Sequence, residues 1–338
     1  MSAPARPWPR GAATGIGSLP GTDALEAQRT VLGELPDLPY LPELPARGPG
    51  AELIGRTAAL LVDLPVEIAP SGWRLTSRPG RDLRRALDLL ERDLDTAVDV
   101  ADGHTGAYKF AAAGPWTLAA GLELPNGNRV LTDPGATRDL AESLAEGLRR
   151  HAAELARRLP HAHLVGQLDE PSLPAVLAGA VPTASGYGTI RHVDEATART
   201  TLTAVLDALP AGPRVVHCCA DAPPVTLLLE AGATALALDL DTLDAATTDA
   251  VGTAVDDGVA LLLGILPGRP EPGAAAPAFA ATRDRLTQWW SVLGFAPAAL
   301  ADTVVPTTAC GLAGATPAYA RAAATVLRDV GRAAAELG

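Results

Sequence analysis

Three side chains able to hold a soft metal stand close together in a chain that has few of them. The apolar run Val215-Val216-His217-Cys218-Cys219-Ala220 contains two of only three cysteines and one of six histidines. Side chains alternate faces along a strand, so His217 and Cys219 share one face and Cys218 points to the other. The third cysteine, Cys310, closes a second apolar run, Thr307-Thr308-Ala309-Cys310. A catalytic zinc commonly has three protein ligands and one exchangeable position, and two cysteines with one histidine form such a set. An acid would complete a tetrahedron. Asp239 and Asp241 share a face of the run that ends there, and Asp239 is the preferred fourth ligand. Thiolate-rich coordination suits zinc and not magnesium or calcium. A His-x-Cys pair alone is as well explained by burial of small side chains. The coincidence with Cys310 and a nearby acid is what points to a metal, and it leaves Cys218 a structural residue.

Strand-like and helical runs alternate along the whole chain, the pattern of a parallel α/β fold. Strands are expected over Ala13–Ser18, Val66–Ala69, Ala107–Ala113, His163–Asp169, Arg214–Cys219, Ala235–Leu240, Val259–Leu266 and Thr303–Cys310. Each is followed by a helical stretch, which predicts a (β/α)8 TIM barrel occupying residues 1–338 as one domain. Asp82–Asp99 illustrates the helix pattern, with Leu83, Leu87, Leu90 and Leu94 on a core-facing stripe. Prolines break the stretch from about 35 to 80 into a long loop, with a short helix expected near Glu52–Leu61.

Working groups of such a barrel collect at the C-terminal strand ends, and the unusual residues of this chain fall there. Lys109 is the only lysine, and it and Asp169 are candidates for catalysis. In Gln167-Leu168-Asp169-Glu170, Gln167 and Asp169 share a face, so Asp169 is the better partner for a substrate ammonium, whereas Glu170 can bind substrate or anchor a neighbouring loop. Gly17 and Ser18 offer backbone N–H groups and a hydroxyl to a carboxylate. Trp116 and Tyr187 are candidates to stack on a flat heterocycle, and aromatics beside strands are also ordinary core.

A formal net charge of -12 disfavours nucleic acid, whose phosphates require a basic surface. No apolar run reaches the ~20 residues of a membrane helix. The N-terminus lacks the apolar core of a secretory signal, which predicts a cytoplasmic protein with small-molecule partners. An odd cysteine count does not suggest a disulfide framework.

Taken in order, Ile16-Gly17-Ser18, Lys109 with Gly114-Pro115-x-Thr117, Gln167-x-Asp169-Glu170-Pro171, His217-x-Cys219 and Cys310-Gly311-Leu312 resemble the catalytic C-terminal half of cobalamin-independent methionine synthases. The resemblance implies a TIM barrel and a zinc held by His217, Cys219 and Cys310, with the family's glutamate ligand represented by an acid on strand six. It implies homocysteine bound through sulfur, its amino-acid end held at Gly17-Ser18 and Asp169, and methyl transfer from 5-methyltetrahydrofolate or a methylated corrinoid protein. The chain departs from the pattern in three places. It lacks the N-terminal half of the two-domain family, as a stand-alone core enzyme would. Gly264-Ile265-Leu266-Pro267 lacks the family's histidine after strand seven, which leaves the donor open. The early-loop glutamate that helps hold the substrate amine has no clear counterpart, with Glu43 and Glu52 as the candidates to serve. Competing expectations are a zinc alkyltransferase for another small thiol, a uroporphyrinogen-decarboxylase-like enzyme, and a non-catalytic barrel that binds metal or thiol.

Overall fold

A computed structural model of the chain describes residues 6–271 and 273–337. The centre is a curled six-stranded parallel sheet in sequential order, β3-β4-β5-β6-β7-β8, and a separate antiparallel hairpin, β1-β2, lies outside it. The hairpin strands are β1 (Val66–Ala69) and β2 (Gly72–Leu75). The parallel strands are β3 (Ala107–Ala113), β4 (His163–Asp169), β5 (Arg214–Cys218), β6 (Ala235–Asp239), β7 (Ala260–Leu266) and β8 (Val304–Thr308). The helices are α1 (Ala24–Glu34), α2 (Leu53–Ala58), α3 (Arg81–Ala101), α4 (Pro115–Gly121), α5 (Pro134–Arg158), α6 (Leu173–Ala178), α7 (Glu195–Leu206), α8 (Val225–Glu230), α9 (Ala245–Asp256), α10 (Phe279–Val292), α11 (Leu300–Thr303) and α12 (Pro317–Ala335). Among the described residues no helix is long and apolar enough to cross a membrane.

Local chemistry sets the helix ends. Asp133 caps α5 by accepting from Gly135 N and Ala136 N, and Thr316 caps α12 by accepting from Tyr319 N. In both, a proline follows at the first helical position, where its missing N–H has no intrahelical partner to lose. The buried stripe of α3 is Ala86, Leu90, Leu94, Ala97 and Ala101, joined by Asp93. Leu87, expected on that stripe, is exposed instead, because the smaller Ala86 takes the inward position.

Two of the expected sheet strands are corrected. Among the described residues Val66–Ala69 pairs only with Gly72–Leu75, since the tight turn between them makes an antiparallel hairpin closer at hand than any sheet edge. Ala13–Ser18 is extended without a regular ladder. Its hydrogen bonds show what it does: Thr14 N donates to Pro306 O of β8, and Glu43 N donates to Gly17 O while Leu19 N donates to Glu43 O. The next extended piece reaches β3 in turn, with Lys109 N donating to Pro39 O and Leu41 N to Lys109 O. Pro39 and Pro42 have no N–H to give, which keeps this piece from forming a continuous ladder.

Inside the curl an apolar layer joins Val165, Val215, Ala237, Leu262 and Val305 of the strands to Ile16 and Leu38 of the two extended pieces. The Pro-rich loop is fixed to α3 by a buried ion-pair group: Arg47 grips both oxygens of Asp93 at 2.6 and 2.8 Å, and Arg56 joins the same carboxylate. That anchorage holds Glu43 next to residues 17–19.

Candidate metal and thiol site

The C-terminal ends of β4, β5 and β8 bring the singled-out residues together. Asp169 and His217 are paired across the parallel β4–β5 register, so their side chains leave the sheet side by side. His217 Nδ1 lies 3.1 Å from Asp169 Oδ1, and its Nε2 lies 3.3 Å from Ala309 O. Cys219 directly follows β5, and Cys310 reaches it from β8, with the sulfurs 3.3 Å apart. Close approach of β8 to β7 requires Gly264, because a Cβ there would stand 2.4 Å from Ala309 Cα. A shift of register between Gly264 and Leu266 accompanies it and turns Cys310 toward Cys219.

One ligand atom each from His217, Cys219 and Cys310 lies within 4.8 Å of the others. Zn–S bonds of about 2.3 Å at tetrahedral angles set sulfurs about 3.8 Å apart, so this donor set fits a zinc ion with little movement. Asp239 is not in that group: its Oδ1 accepts from Asp241 N at 3.0 Å, which turns the carboxylate along the chain. Asp241 is exposed and pairs with Arg285. Three of the four expected ligands thus converge, and Asp239 stands outside that group.

The charges are consistent with cation binding. Burial opposes a charge on His217, but the hydrogen bond and charge of Asp169 outweigh it and raise its pKa. Cys219 donates to Cys310, and this bond, helped by His217, lowers the Cys310 thiol to about 6 against the effect of burial. The Cys219 thiol is raised by the same bond.

Behind Asp169 lies a buried relay. Gln167 Nε2 donates to Asp169 Oδ1 at 2.7 Å, and Lys109 Nζ donates to Gln167 Oε1 at 2.7 Å. Lys109, the other catalytic candidate, is fully buried, and its ammonium is held by Gln167 and Ile16 O. Three substrate-side candidates lie apart from this cluster. Glu170 is fully buried and accepts from Trp116 N, Thr117 N and Thr117 Oγ1, so strand alternation turns it to the start of α4, away from Asp169. Trp116 is buried with its Nε1 bonded to Ala198 O. Tyr187 is 98% exposed in the loop between α6 and α7.

Gly17 and Ser18 lie next to Glu43 and Gly311. Ser18 pairs with Glu43 as an isolated parallel bridge, and a Cβ on Gly311 would meet Ser18 Oγ at 2.0 Å. Glu43 is the residue that sequence reasoning placed least firmly. It is buried, its Oε1 has no hydrogen-bond partner, and it would lie 3.8 Å from a Cβ on Gly17. Burial raises its pKa to about 7; Arg56 and Lys109 work against the shift and Asp169 and Asp93 add to it. Its signal was an acid inside the apolar run Leu38-Pro39-Tyr40-Leu41-Pro42-Glu43-Leu44. The alternative, Glu52, caps α2 and accepts from Gly50 N, Gly55 N and Trp73 Nε1.

Among curated proteins none matches this chain. Among solved structures, a B12-independent methionine synthase from Shewanella sp. W3-18-1, determined in complex with selenomethionine, superposes with a TM-score of 0.61 at 13% identity. The match covers 96% of this chain and 98% of that one, a likeness of fold. The family described as "Cobalamin-independent synthase, Catalytic domain" matches residues 11–333, a span that takes in the β4, β5 and β8 ends and both extended pieces. This chain therefore belongs to the cobalamin-independent synthase catalytic-domain family.

Proposed function

We propose that the protein is a zinc-dependent S-methyltransferase that moves a methyl group to the thiol of homocysteine and forms methionine. The observation that carries this reading is the convergence of His217, Cys219 and Cys310 beside Asp169, in a chain with so few sulfurs. Zinc bound there supplies a Lewis-acidic centre at which a substrate thiol is held deprotonated yet nucleophilic near neutral pH. Sulfur then forms its new bond to carbon as the donor–methyl bond breaks, and the proton given up by the thiol balances the one the donor takes.

The protein's own groups orient the substrate. Asp169 has Oδ1 engaged by Gln167 and His217, and Oδ2 is left for an ammonium. Glu43 supplies a second carboxyl next to Gly17, its Oε1 without a hydrogen-bond partner among the described residues. The Gly17-Ser18 main chain and the Ser18 hydroxyl suit the substrate carboxylate. The family's description as cobalamin-independent favours 5-methyltetrahydrofolate over a methylated corrinoid protein as donor. The reading extends to the fold: a single-domain (β/α)8 barrel, closed by extended pieces 12–19 and 38–43 between β8 and β3, supported by the hydrogen bonds that run from Pro306 to Lys109. Three free thiols suit a reducing, cytoplasmic setting.

The test is metal analysis of the purified protein together with labelled methyl transfer to homocysteine from folate and corrinoid donors. Zinc with methionine from the folate donor is expected. Failure with every donor would leave a metal-binding protein without turnover. A further expected result concerns Gly311→Ala. The new methyl group forces Ser18 Oγ to another rotamer, so zinc content stays and homocysteine affinity falls about tenfold, the worth of one hydrogen bond to a charged group. Titration calorimetry on the zinc-loaded variant checks it, and unchanged affinity removes Ser18 from the subsite.

A further inference from the structure

Lys109 is the only lysine among 27 basic residues of the Lys and Arg types. Its ammonium is buried on the inner face of β3, where it donates to Gln167 Oε1 at 2.7 Å and to Ile16 O at 2.8 Å. The Tyr40 ring covers it at 5.0 Å from Nζ to centroid. The slot offers two oxygens and an aromatic face. A guanidinium with five donors in a rigid plane would leave several of them unpaired there, which gives a physical reason for lysine in an arginine-rich chain.

The direction of each hydrogen bond follows from the donor at the start. An ammonium has no acceptor, so the Gln167 amide must turn its oxygen to Lys109. Its NH2 group then faces Ile16 O at 3.1 Å and Asp169 Oδ1 at 2.7 Å. The same Oδ1 faces His217 Nδ1 at 3.1 Å. Both ring nitrogens face an acceptor, Asp169 Oδ1 at 3.1 Å and Ala309 O at 3.3 Å; the carboxylate is the nearer and, being charged, the stronger one, so in the neutral ring the hydrogen sits on Nδ1 and Nε2 keeps its lone pair.

We propose that Lys109 and Gln167 are positioning residues that fix the ring orientation and tautomer of His217 through Asp169, and so present Nε2 for metal binding. The proposal rests on the zinc reading for its purpose, but the relay itself exists without metal. It assigns Lys109 no contact with substrate. It also links the metal site to the first extended piece, because Ile16 O receives both the lysine and the glutamine, and Gly17-Ser18 follow directly.

Two near-isosteric variants test it. Gln167→Glu keeps an oxygen for Lys109 but removes the N–H that holds Asp169. Lys109→Met frees the amide to turn over. Two measurements are made on each folded variant: zinc affinity by chelator competition, and the His217 tautomer by 15N NMR of the metal-free protein at a pH where the ring is neutral. Wild type is expected to show the Nδ1–H tautomer. Each variant is expected to show a mixed tautomer and about 10- to 100-fold weaker zinc binding, the usual effect of losing an outer partner of a ligating histidine. The double variant should lose no more than the worse single one, since both act through one chain of contacts. A purely structural lysine would lower the melting temperature and leave affinity and tautomer as in wild type, and that result overturns the proposal. Wild-type protein that binds no zinc would sink the metal reading instead, and the tautomer of the metal-free variants would still decide the relay.

Discussion

Cys310→Ala is expected to take the zinc content of the purified protein from about one per chain to near zero while the sheet stays folded. Tetrahedral zinc sites contribute about 10–16 kcal/mol of binding, so one of three protein ligands is worth roughly 3 kcal/mol or more, at least a hundredfold in affinity. Cys310 lies beyond the last residue of β8, so its removal breaks no ladder bond. The natural control is Cys218→Ala. Cys218 is fully buried on the outer side of β5, and burial pushes its thiol up to about 12, so it offers no thiolate at neutral pH. That variant should lose some stability and retain its metal. Cys310→Ala and Cys218→Ala thus predict opposite outcomes for the metal. Zinc analysis by mass spectrometry, with circular dichroism for the fold, decides the matter. Full zinc occupancy in Cys310→Ala would remove the site assignment.

The fold was legible where one physical rule dominated. Parallel strands buried on both faces read as short apolar runs, and Ala107–Ala113 and His163–Asp169 appear with the expected bounds. The start of the chain was less legible because its pairing is set by prolines and single hydrogen bonds, not by side-chain pattern. Ala13–Ser18 carries a strand-like composition but bonds β8 at one point and residue 43 at another. Val66–Ala69 has the composition of a strand, and composition does not say whether a partner is a hairpin neighbour or a distant edge.

Strand alternation accounts for most of the site that could be read. It separated Cys218 from Cys219 and Glu170 from Asp169, and the structure places each pair on opposite sides. It says less about Asp239, because a strand end can bend, and the Asp239 carboxylate accepts from the Asp241 N–H. The aromatic candidates were hard to read for a different reason. Trp116 is large enough to fill space between α4 and α7, and its indole N–H finds a partner there. Nothing in the sequence distinguishes that from a stacking platform. Lys109 was noticed for its rarity, yet its role depends on Gln167 and Ile16, which only the folded chain brings to it.

Glu43→Gln should make the protein more stable and its substrate binding worse. Burial raises the Glu43 carboxyl from 4.5 to about 7, a difference worth about 3 kcal/mol between its two protonation states. The sign follows from proton counting. Between pH 4.5 and about 7 the folded protein holds the Glu43 proton more tightly than the unfolded chain. Stability from this residue is therefore complete below that window, falls as pH rises through it, and is lost above it. Glutamine cannot ionise, so the variant should unfold several degrees higher at pH 8, and the gain should vanish at pH 4. The same substitution removes a buried charge that the proposed ammonium subsite needs. Homocysteine affinity of the zinc-loaded variant should drop at least about 30-fold, the lower range for breaking a buried charge pair. An unpartnered buried acid retained at a cost in stability is the signature of a residue kept for binding. Thermal melts at the two pH values and calorimetry with homocysteine read the two effects separately. A variant destabilised at pH 8, or one that binds homocysteine as tightly as wild type, would show that Glu43 faces a partner other than the substrate amine.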